Sequence, residues 1–175
     1  MSGARPQPRP WLTTLLMSLP MLLLAPAAQA DGGRQMPPGV PPAYTAECAA
    51  CHLAYPPGML PAASWQRVMQ GLDLHYGTDA SLDGPTRQTI ARWLQAHAGT
   101  YKRVASAPPQ DRITRSAWFE RQHREIDSGV WQLPDVKSAA NCGACHAGAG
   151  RGHFDDDDLR LPRGLSARQR RAWTD

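Results

Sequence analysis

The chain repeats one five-residue pattern, CAACH at residues 48–52 and CGACH at residues 142–146. This pattern is typical of covalent haem attachment, because two thiols one helical turn apart can add to the two vinyl groups of a haem while the adjoining histidine reaches its iron. The sequence therefore predicts two c-type haems. The predicted attachment residues are all four cysteines of the chain, Cys48, Cys51, Cys142 and Cys145. The predicted proximal iron ligands are His52 and His146.

Cysteine pairs with this spacing have two other common uses, in redox-active disulfides and in zinc sites. Either two such disulfides or one four-cysteine zinc site would use every thiol of the chain. Neither arrangement needs a histidine directly after both cysteine pairs, whereas haem ligation does. The repeated histidine therefore favours haem attachment over both alternatives.

The amino terminus has the layout of a secretory signal peptide. Arg5 and Arg9 precede an apolar stretch over residues 11–26, and AQA at residues 28–30 is a small-x-small cleavage site. We expect residues 1–30 to be removed, leaving a soluble periplasmic protein without a membrane span, in the compartment where haem is attached. The alternative is an uncleaved anchor, because the apolar stretch approaches the length that crosses a bilayer.

Removal of residues 1–30 leaves 145 residues, which suits one compact unit or two small lobes. A chain of this size buries a modest apolar core, so two porphyrins would supply much of its interior and the haem-free chain would fold poorly. The remaining 17 lysines and arginines are balanced by 15 acidic residues, a net charge of +2. Such a small charge makes nucleic acid a poor candidate partner.

Apolar residues recur at helical spacing in several segments, and no segment shows a convincing strand-like alternation. The sequence predicts a first short helix over residues 44–52 and a second that runs through His75 to a stop at Gly77. Asp83 and Pro85 are a good N-cap and first-turn residue for a third helix. The remaining predicted helices cover residues 114–126 and 138–147. The predicted fold class is mainly α.

Each haem iron also needs a sixth ligand or an open position, and the further histidines are His75, His97, His123 and His153. The first three share apolar helix faces, so periodicity does not separate them. His75 follows His52 by 23 residues and His123 precedes His146 by 23. This mirrored spacing favours His75 as the ligand of the first haem and His123 as that of the second, with crossed pairing as the alternative. His153 lies in a glycine-rich loop, and we expect it to be exposed.

Methionine is another possible sixth ligand, and it would raise the reduction potential relative to histidine. Met59 lies in a loop, PGMLP at residues 57–61, that could approach the first haem. It therefore competes with His75 for that position, as does His97. Met69 falls on an apolar helix face, and we expect it in the core.

These features divide the chain into six segments. They are a signal peptide (1–30), a flexible leader (31–42), a first haem lobe (43–104), a link (105–111), a second haem lobe (112–160) and a basic tail (161–175). We expect the aspartate run at 155–158 and the arginines that follow it to be solvated. The run lacks the ligand spacing of a calcium loop, and the alternative is that it steers a basic redox partner.

Motifs around the two cysteine pairs occur in a fixed order. They are YTAE at 44–47, AYPPG at 54–58, HYG at 75–77, RIT at 112–114, WF at 118–119, VKS at 136–138 and Asn141. In this order they resemble the dihaem cytochrome c family of bacterial periplasmic electron carriers. The resemblance covers nearly the whole chain after the predicted cleavage site.

The resemblance implies a small cytochrome c-like helical fold with two haem-binding lobes packed around two c-type haems. It also implies bis-histidine ligation, because His75 and His123 match histidines of the family pattern and His97 does not. The implied partners are redox proteins, namely a small oxygen-binding monohaem cytochrome c and a membrane b-type cytochrome. The expected function is electron relay without catalysis, and the competing hypothesis is a dihaem enzyme or gas sensor with one open iron.

Overall fold

The structure is a computed structural model that describes residue 3, residues 36–100, residue 104 and residues 106–173. The predicted signal peptide, apart from residue 3, and residues 31–35 of the predicted leader lie outside the described residues. Within the described part the chain forms α-helices and short 3₁₀ turns and contains no strand, which confirms the predicted mainly α class. None of the helices found there has the length and apolar character that a membrane span requires.

The α-helices of the described residues are α1 (Pro42–Cys48), α2 (Ala62–Gln70), α3 (Gly84–Ala96), α4 (Ala117–Gln122) and α5 (Ala167–Arg170). The predicted start of the third helix is confirmed. Asp83 is its N-cap, and the carboxylate of Asp83 accepts a hydrogen bond of 3.0 Å from the backbone N–H of Thr86. This contact satisfies one of the amide groups that a helix leaves without a partner at its amino end.

Two helices end earlier than predicted. α1 ends at Cys48, and the rest of the first CxxCH pattern follows in a turn rather than in the helix. α2 ends at Gln70, because Gly71 leaves the helical conformation (φ −111°, ψ 36°). The prediction that this helix runs through His75 to Gly77 is therefore wrong, and His75 lies in a turn after a 3₁₀ segment, Leu72–Leu74.

The last two predicted helices are also reduced. α4 begins after Ser116, whose hydroxyl accepts a 3.1 Å hydrogen bond from the N–H of Phe119. Because of this cap the helix begins at Ala117 and not at Thr114, which was the predicted start. The region 138–147 contains a single 3₁₀ turn, Cys142–Ala144, instead of a helix. The glycine of that turn lowers helical propensity, and the cofactor pattern itself occupies the segment.

The first three helices enclose an apolar core. Pro57 in the loop before α2 is tied to it, because the indole N–H of Trp65 donates to the Pro57 carbonyl at 2.7 Å. The prediction that Met69 belongs to the core is confirmed, since only 5% of it is exposed. The buried members of this first core are Tyr44, Leu60, Trp65, Met69, Ile90, Trp93 and Leu94.

A second and smaller core lies in the carboxy-terminal part of the chain. Its buried members are Val130, Val136 and Leu165. Leu165 belongs to the basic tail, and only 5% of it is exposed, whereas residues 155–158 and the arginines that follow them are exposed, as expected. The tail packs here because this core has few other apolar residues to fill it.

Candidate haem sites

The histidine of the first CxxCH pattern lies beside His75. The ring centroids of His52 and His75 are 6.0 Å apart, and their ring planes differ by 22°. Two imidazoles bound to opposite sides of one metal ion have centroids roughly 6 Å apart, because each metal–nitrogen bond is about 2.0 Å and each ring adds about 1 Å. The separation of the pair therefore fits one iron.

The ring of His52 has a defined tautomer. Its Nδ1 lies 2.7 Å from the carbonyl oxygen of Leu53, and a carbonyl can only accept a hydrogen bond. Nδ1 therefore carries the proton, and Nε2 keeps the lone pair that a metal needs. Hydrogen bonds of this kind orient the histidines of metal sites. His52 and Cys51 are both exposed, so the first site opens at the protein surface.

A tight turn presents His75. The N–H of Thr78 donates to the His75 carbonyl at 3.0 Å, and the two residues between them, Tyr76 and Gly77, have φ of 52° and 99°. Positive φ at both central positions is typical of mirror-image turns and is unfavourable for a residue with a side chain. The hydroxyl of Tyr76 holds it in place by donating to the Asp111 carbonyl at 3.0 Å. The link between the lobes thus supports the turn that carries His75.

Charged groups of α2 and of residues 111–112 lie near this turn. Arg67 of α2 binds both carboxylate oxygens of Asp111, at 2.7 and 2.8 Å, and these hydrogen bonds lower the pKa of Asp111. The guanidinium carbon of Arg112 lies 4.3 Å from the ring centroid of Tyr76. Burial lowers the pKa of His75, and the neighbouring His52 and Arg112 add to the effect. His75 therefore favours the neutral form, which is the form that binds a metal.

The chemistry of the cysteines argues against redox-active disulfides, one of the two alternatives to haem attachment. All four are thiols without a disulfide. Burial raises the pKa of Cys48 and of Cys142 to about 11, whereas redox-active cysteine pairs depend on a lowered pKa. Within the described residues, no group of three or more His, Cys, Asp or Glu side chains is arranged so that it could hold a metal ion.

The second histidine pair is His123 and His146. Their ring centroids are 6.2 Å apart, which again fits one iron, but their planes differ by 78°. His75 therefore lies with His52, and His123 with His146. This arrangement follows the mirrored spacing seen in the sequence and does not match the crossed pairing.

His123 is fixed at the carboxyl end of α4. Its Nδ1 lies 2.9 Å from the carbonyl oxygen of Phe119, so Nδ1 carries the proton here too. Its ring centroid is 4.1 Å from that of Phe119 and 5.8 Å from that of Trp131. Burial lowers the pKa of His123, partly opposed by the Phe119 hydrogen bond and by the charge of Asp156.

A cavity of about 300 Å³ surrounds the second pair. Cys142 and Cys145 contribute to its wall together with His123 and His146, so the whole second CxxCH site opens into it. The apolar and aromatic residues of the wall are Met59, Ile113, Trp118, Phe119, Ile126, Trp131, Ala139, Phe154, Leu159 and Trp173. A wall of this character suits the apolar faces of a porphyrin.

Met59 comes to this wall from the first lobe. It ends the 3₁₀ turn Pro57–Met59, and only 4% of it is exposed. The alternative in which Met59 competes with His75 for the first haem stays a prediction. The loop that carries Met59 is held to α2 by the hydrogen bond between Trp65 and Pro57.

Tyr55 joins the two sites. Its ring centroid lies 5.2 Å from that of His52, and its hydroxyl donates to the Ala140 carbonyl at 2.7 Å. Ala140 precedes Cys142 by two residues, so one side chain connects the histidine of the first pattern with the backbone of the second. Sequence reasoning did not identify this role, because the two residues are 85 positions apart and no local pattern signals the contact.

The other two histidines lie elsewhere. His97 follows α3, its Nδ1 lies 2.9 Å from the Trp93 carbonyl oxygen, and its ring centroid lies 5.3 Å from that of Trp93. His153 is exposed, as its glycine-rich surroundings predicted. The histidines that the structure brings to the two CxxCH patterns are therefore His75 and His123.

Comparison with known proteins identifies the family. The family model "Dihaem cytochrome c" matches residues 44–154. The crystal structure of DHC purified from Rhodobacter sphaeroides is 40% identical, with a TM-score of 0.58, over 66% of this chain and 97% of that one. A second structure, diheme cytochrome c from Rhodobacter sphaeroides, is 38% identical with a TM-score of 0.60, over 69% and 99%. No curated protein matches the chain.

A third solved structure comes from another organism. The X-ray structure of a diheme cytochrome type c from Shewanella baltica OS155 is 36% identical, with a TM-score of 0.61, over 70% of this chain and 93% of that one. The family match covers more than half of the chain and includes both CxxCH patterns and both histidine pairs. The chain therefore belongs to the dihaem cytochrome c family, whose cofactors are two iron-containing c-type haems.

Proposed function

We propose that this protein relays electrons between redox partners through two haems that are each closed by two histidines. The observation that carries the proposal is the spacing of the two imidazole pairs, 6.0 Å and 6.2 Å between centroids. His52 and His75 would bind the first iron, and His146 and His123 the second. The thioether bonds would be made by Cys48 and Cys51 at the first haem and by Cys142 and Cys145 at the second.

The haem iron supplies one-electron exchange when it is bound, and the polypeptide decides what else can happen there. With His52 and His75 holding the first iron, and His146 and His123 the second, no position would be left for peroxide, a nitrogen oxide or a gas. The backbone carbonyls of Leu53 and Phe119 hold the rings of His52 and His123 in place. Bis-histidine ligation also favours a lower potential than methionine ligation does, which suits an electron donor.

We also propose a periplasmic location and two partners, in line with the resemblance of the sequence to periplasmic electron carriers. Cleavage after residue 30 would release the protein into the periplasm, where a membrane b-type cytochrome could reduce it. A small oxygen-binding monohaem cytochrome c would then accept the electrons. Mixing the reduced protein with each oxidised candidate in a stopped-flow spectrometer tests both partners.

Carbon monoxide tests the ligation, because it binds a ferrous haem that has an open or weakly held sixth position. The reduced protein with two haems, counted as the pyridine haemochrome, should show no spectral change with carbon monoxide. His75→Ala and His123→Ala should each bind one equivalent of carbon monoxide, while both haems stay attached through their thioether bonds. His97→Ala is the matched control and should remain unreactive, because His97 lies against Trp93.

Two results would contradict the proposal. Prompt binding of carbon monoxide by the unsubstituted protein would show an open iron and support the enzyme or gas-sensor hypothesis. Reactivity of His97→Ala, together with an inert His75→Ala or His123→Ala, would show that the ligand assignment is wrong.

A further inference from the structure

The last part of the described chain, residues 155–173, lies beyond the segment that matches the family. We call it the C-terminal segment. Its backbone pairs with the second CxxCH pattern, because the N–H of Ala147 donates to the Asp158 carbonyl at 3.2 Å and the N–H of Arg160 donates to the Cys145 carbonyl at 2.7 Å. These two bonds place Leu159 opposite His146 in an antiparallel bridge.

Further contacts hold the C-terminal segment on the second lobe. The guanidinium of Arg163 donates to both carboxylate oxygens of Asp135, at 2.7 and 3.0 Å. Leu165 packs in the second core with Val130 and Val136. Helix α5 then begins with a capping box formed by Ser166 and Gln169. The segment is thus anchored by backbone, ionic and apolar contacts along its length.

The C-terminal segment also completes the cavity around the second histidine pair. Asp156, Leu159 and Trp173 all line that cavity together with His146 and Phe154, whose ring centroids are 5.7 Å apart. Leu161, only two residues after Leu159, does not line it and is 48% exposed. The contact with the cavity is therefore specific to certain positions and is not a general property of the segment.

We propose that the C-terminal segment is a cap that keeps external ligands away from the second haem, with Leu159 and Trp173 as the residues that restrict access. This inference rests on the proposed ligation, because an external ligand could bind the second iron only in place of a histidine such as His123. The segment contacts His146 and helps to wall the cavity that His123 also lines, and a packed wall restricts the path of a small ligand through that cavity. The first site has exposed residues, His52 and Cys51, at the corresponding positions.

Cyanide is a suitable probe, because it binds ferric haem iron and must displace the resident histidine at a closed site. In the oxidised protein with both haems, Leu159→Ala should accelerate cyanide binding at the second haem several-fold. Leu161→Ala removes the same atoms from the same segment but outside the cavity, and it should leave the rate unchanged. Trp173→Ala should act in the same direction as Leu159→Ala. The first haem is an internal reference, and its rate of cyanide binding should not change.

A chain ended at residue 170 provides a second test that keeps Leu165 and the Arg163 ion pair. It lacks Trp173, so it should also bind cyanide faster at the second haem while thermal unfolding shows that the lobe remains folded. Equal rates in Leu159→Ala, Leu161→Ala and the unsubstituted protein would overturn the cap, as would equal acceleration at both haems. Failure of the ligation proposal is distinct, since the unsubstituted reduced protein would then bind carbon monoxide at once.

Discussion

The first core of the described residues contains seven buried residues supplied by three helices and their loops, whereas the second contains three. The burial of the two histidine sites follows the opposite order, because the second site is the more buried one. His52 and Cys51 are exposed, but His146 and Cys145 are partly buried, and with His123 they open into a walled cavity. A lobe with a larger protein core depends less on its cofactor to complete its apolar interior than a lobe with a small core does.

Removal of one haem at a time should give the largest contrast between the lobes. Cys142→Ala with Cys145→Ala should unfold the second lobe, because Val130, Val136 and Leu165 bury too little apolar surface without a porphyrin. Cys48→Ala with Cys51→Ala should leave α2 and α3 folded on their own core. Hydrogen exchange measured by mass spectrometry distinguishes the two results, and equal loss of protection in both lobes would contradict this account.

The angle between the histidine rings should make the two ferric haems spectroscopically distinct. Two iron d orbitals are otherwise nearly equal in energy. Near-parallel rings, as in the first pair at 22°, interact mainly with one of these two orbitals and so separate their energies. Near-perpendicular rings, as in the second pair at 78°, leave the two orbitals close in energy. Electron paramagnetic resonance should show one rhombic low-spin signal and one highly anisotropic signal.

Ligand variants assign these signals. His75→Ala should abolish the rhombic signal and leave the anisotropic one, and His123→Ala should do the reverse. Two identical rhombic signals in the unsubstituted protein would mean that the ring angles of the two sites do not differ in the loaded protein.

The contact between the lobes should have a smaller effect on stability. Tyr55→Phe keeps the ring beside His52 but removes the hydrogen bond to the Ala140 carbonyl, so it should lower the free energy of unfolding by about 1 kcal/mol. Urea unfolding should then show the two lobes melting further apart. Tyr44→Phe is the matched control, because the Tyr44 hydroxyl donates to the Tyr55 carbonyl within the first lobe. It should lower the unfolding midpoint of the first lobe and leave the midpoint of the second lobe unchanged.

The same variant has a pH signature. Burial is the main cause that raises the pKa of the Tyr55 phenol above its ordinary value of about 10. The unfolded chain therefore releases this proton first as the pH rises, and stability is lost above that ordinary value. Tyr55→Phe should lose less stability than the unsubstituted protein between neutral pH and strongly alkaline pH. Identical slopes would indicate that the phenol is solvated in the folded protein.

Local signals in the sequence were sufficient for some elements and not for others. Asp83 and Pro85 predicted the start of α3, because capping depends on neighbours in the chain. The predicted extension of α2 to His75 was wrong, because the apolar period continued past Gly71 although the backbone did not. Periodicity reports which residues are buried, and a 3₁₀ segment or a turn can bury them equally well.

The histidine pairs were identified from the sequence, but the residues around them were not. His75 and His123 were singled out by mirrored spacing and by the resemblance to the family. Met59 reaches the second cavity from the other lobe, and Trp173 reaches it from beyond the family match. Contacts of this kind depend on how distant segments pack, which a single sequence does not encode in any local pattern.

The smallest expected effect concerns one charge at the second site. Asp156 lines the cavity, and a carboxylate near the iron stabilises the ferric state, so Asp156→Asn should raise the potential of the second haem by about a few tens of millivolts. The first haem should not change. Asp157→Asn is the control, because its carboxylate belongs to the same exposed run but does not line the cavity.

Salt dependence separates a local charge from a diffuse one. Asp156 is exposed, so screening should reduce its effect as the ionic strength rises, and the shift should be largest in dilute buffer. Spectroelectrochemical titration at two salt concentrations measures both quantities. If Asp157→Asn shifts the second potential as much as Asp156→Asn does, the aspartate run acts on the haem as a whole, and the position of Asp156 at the cavity does not set the potential.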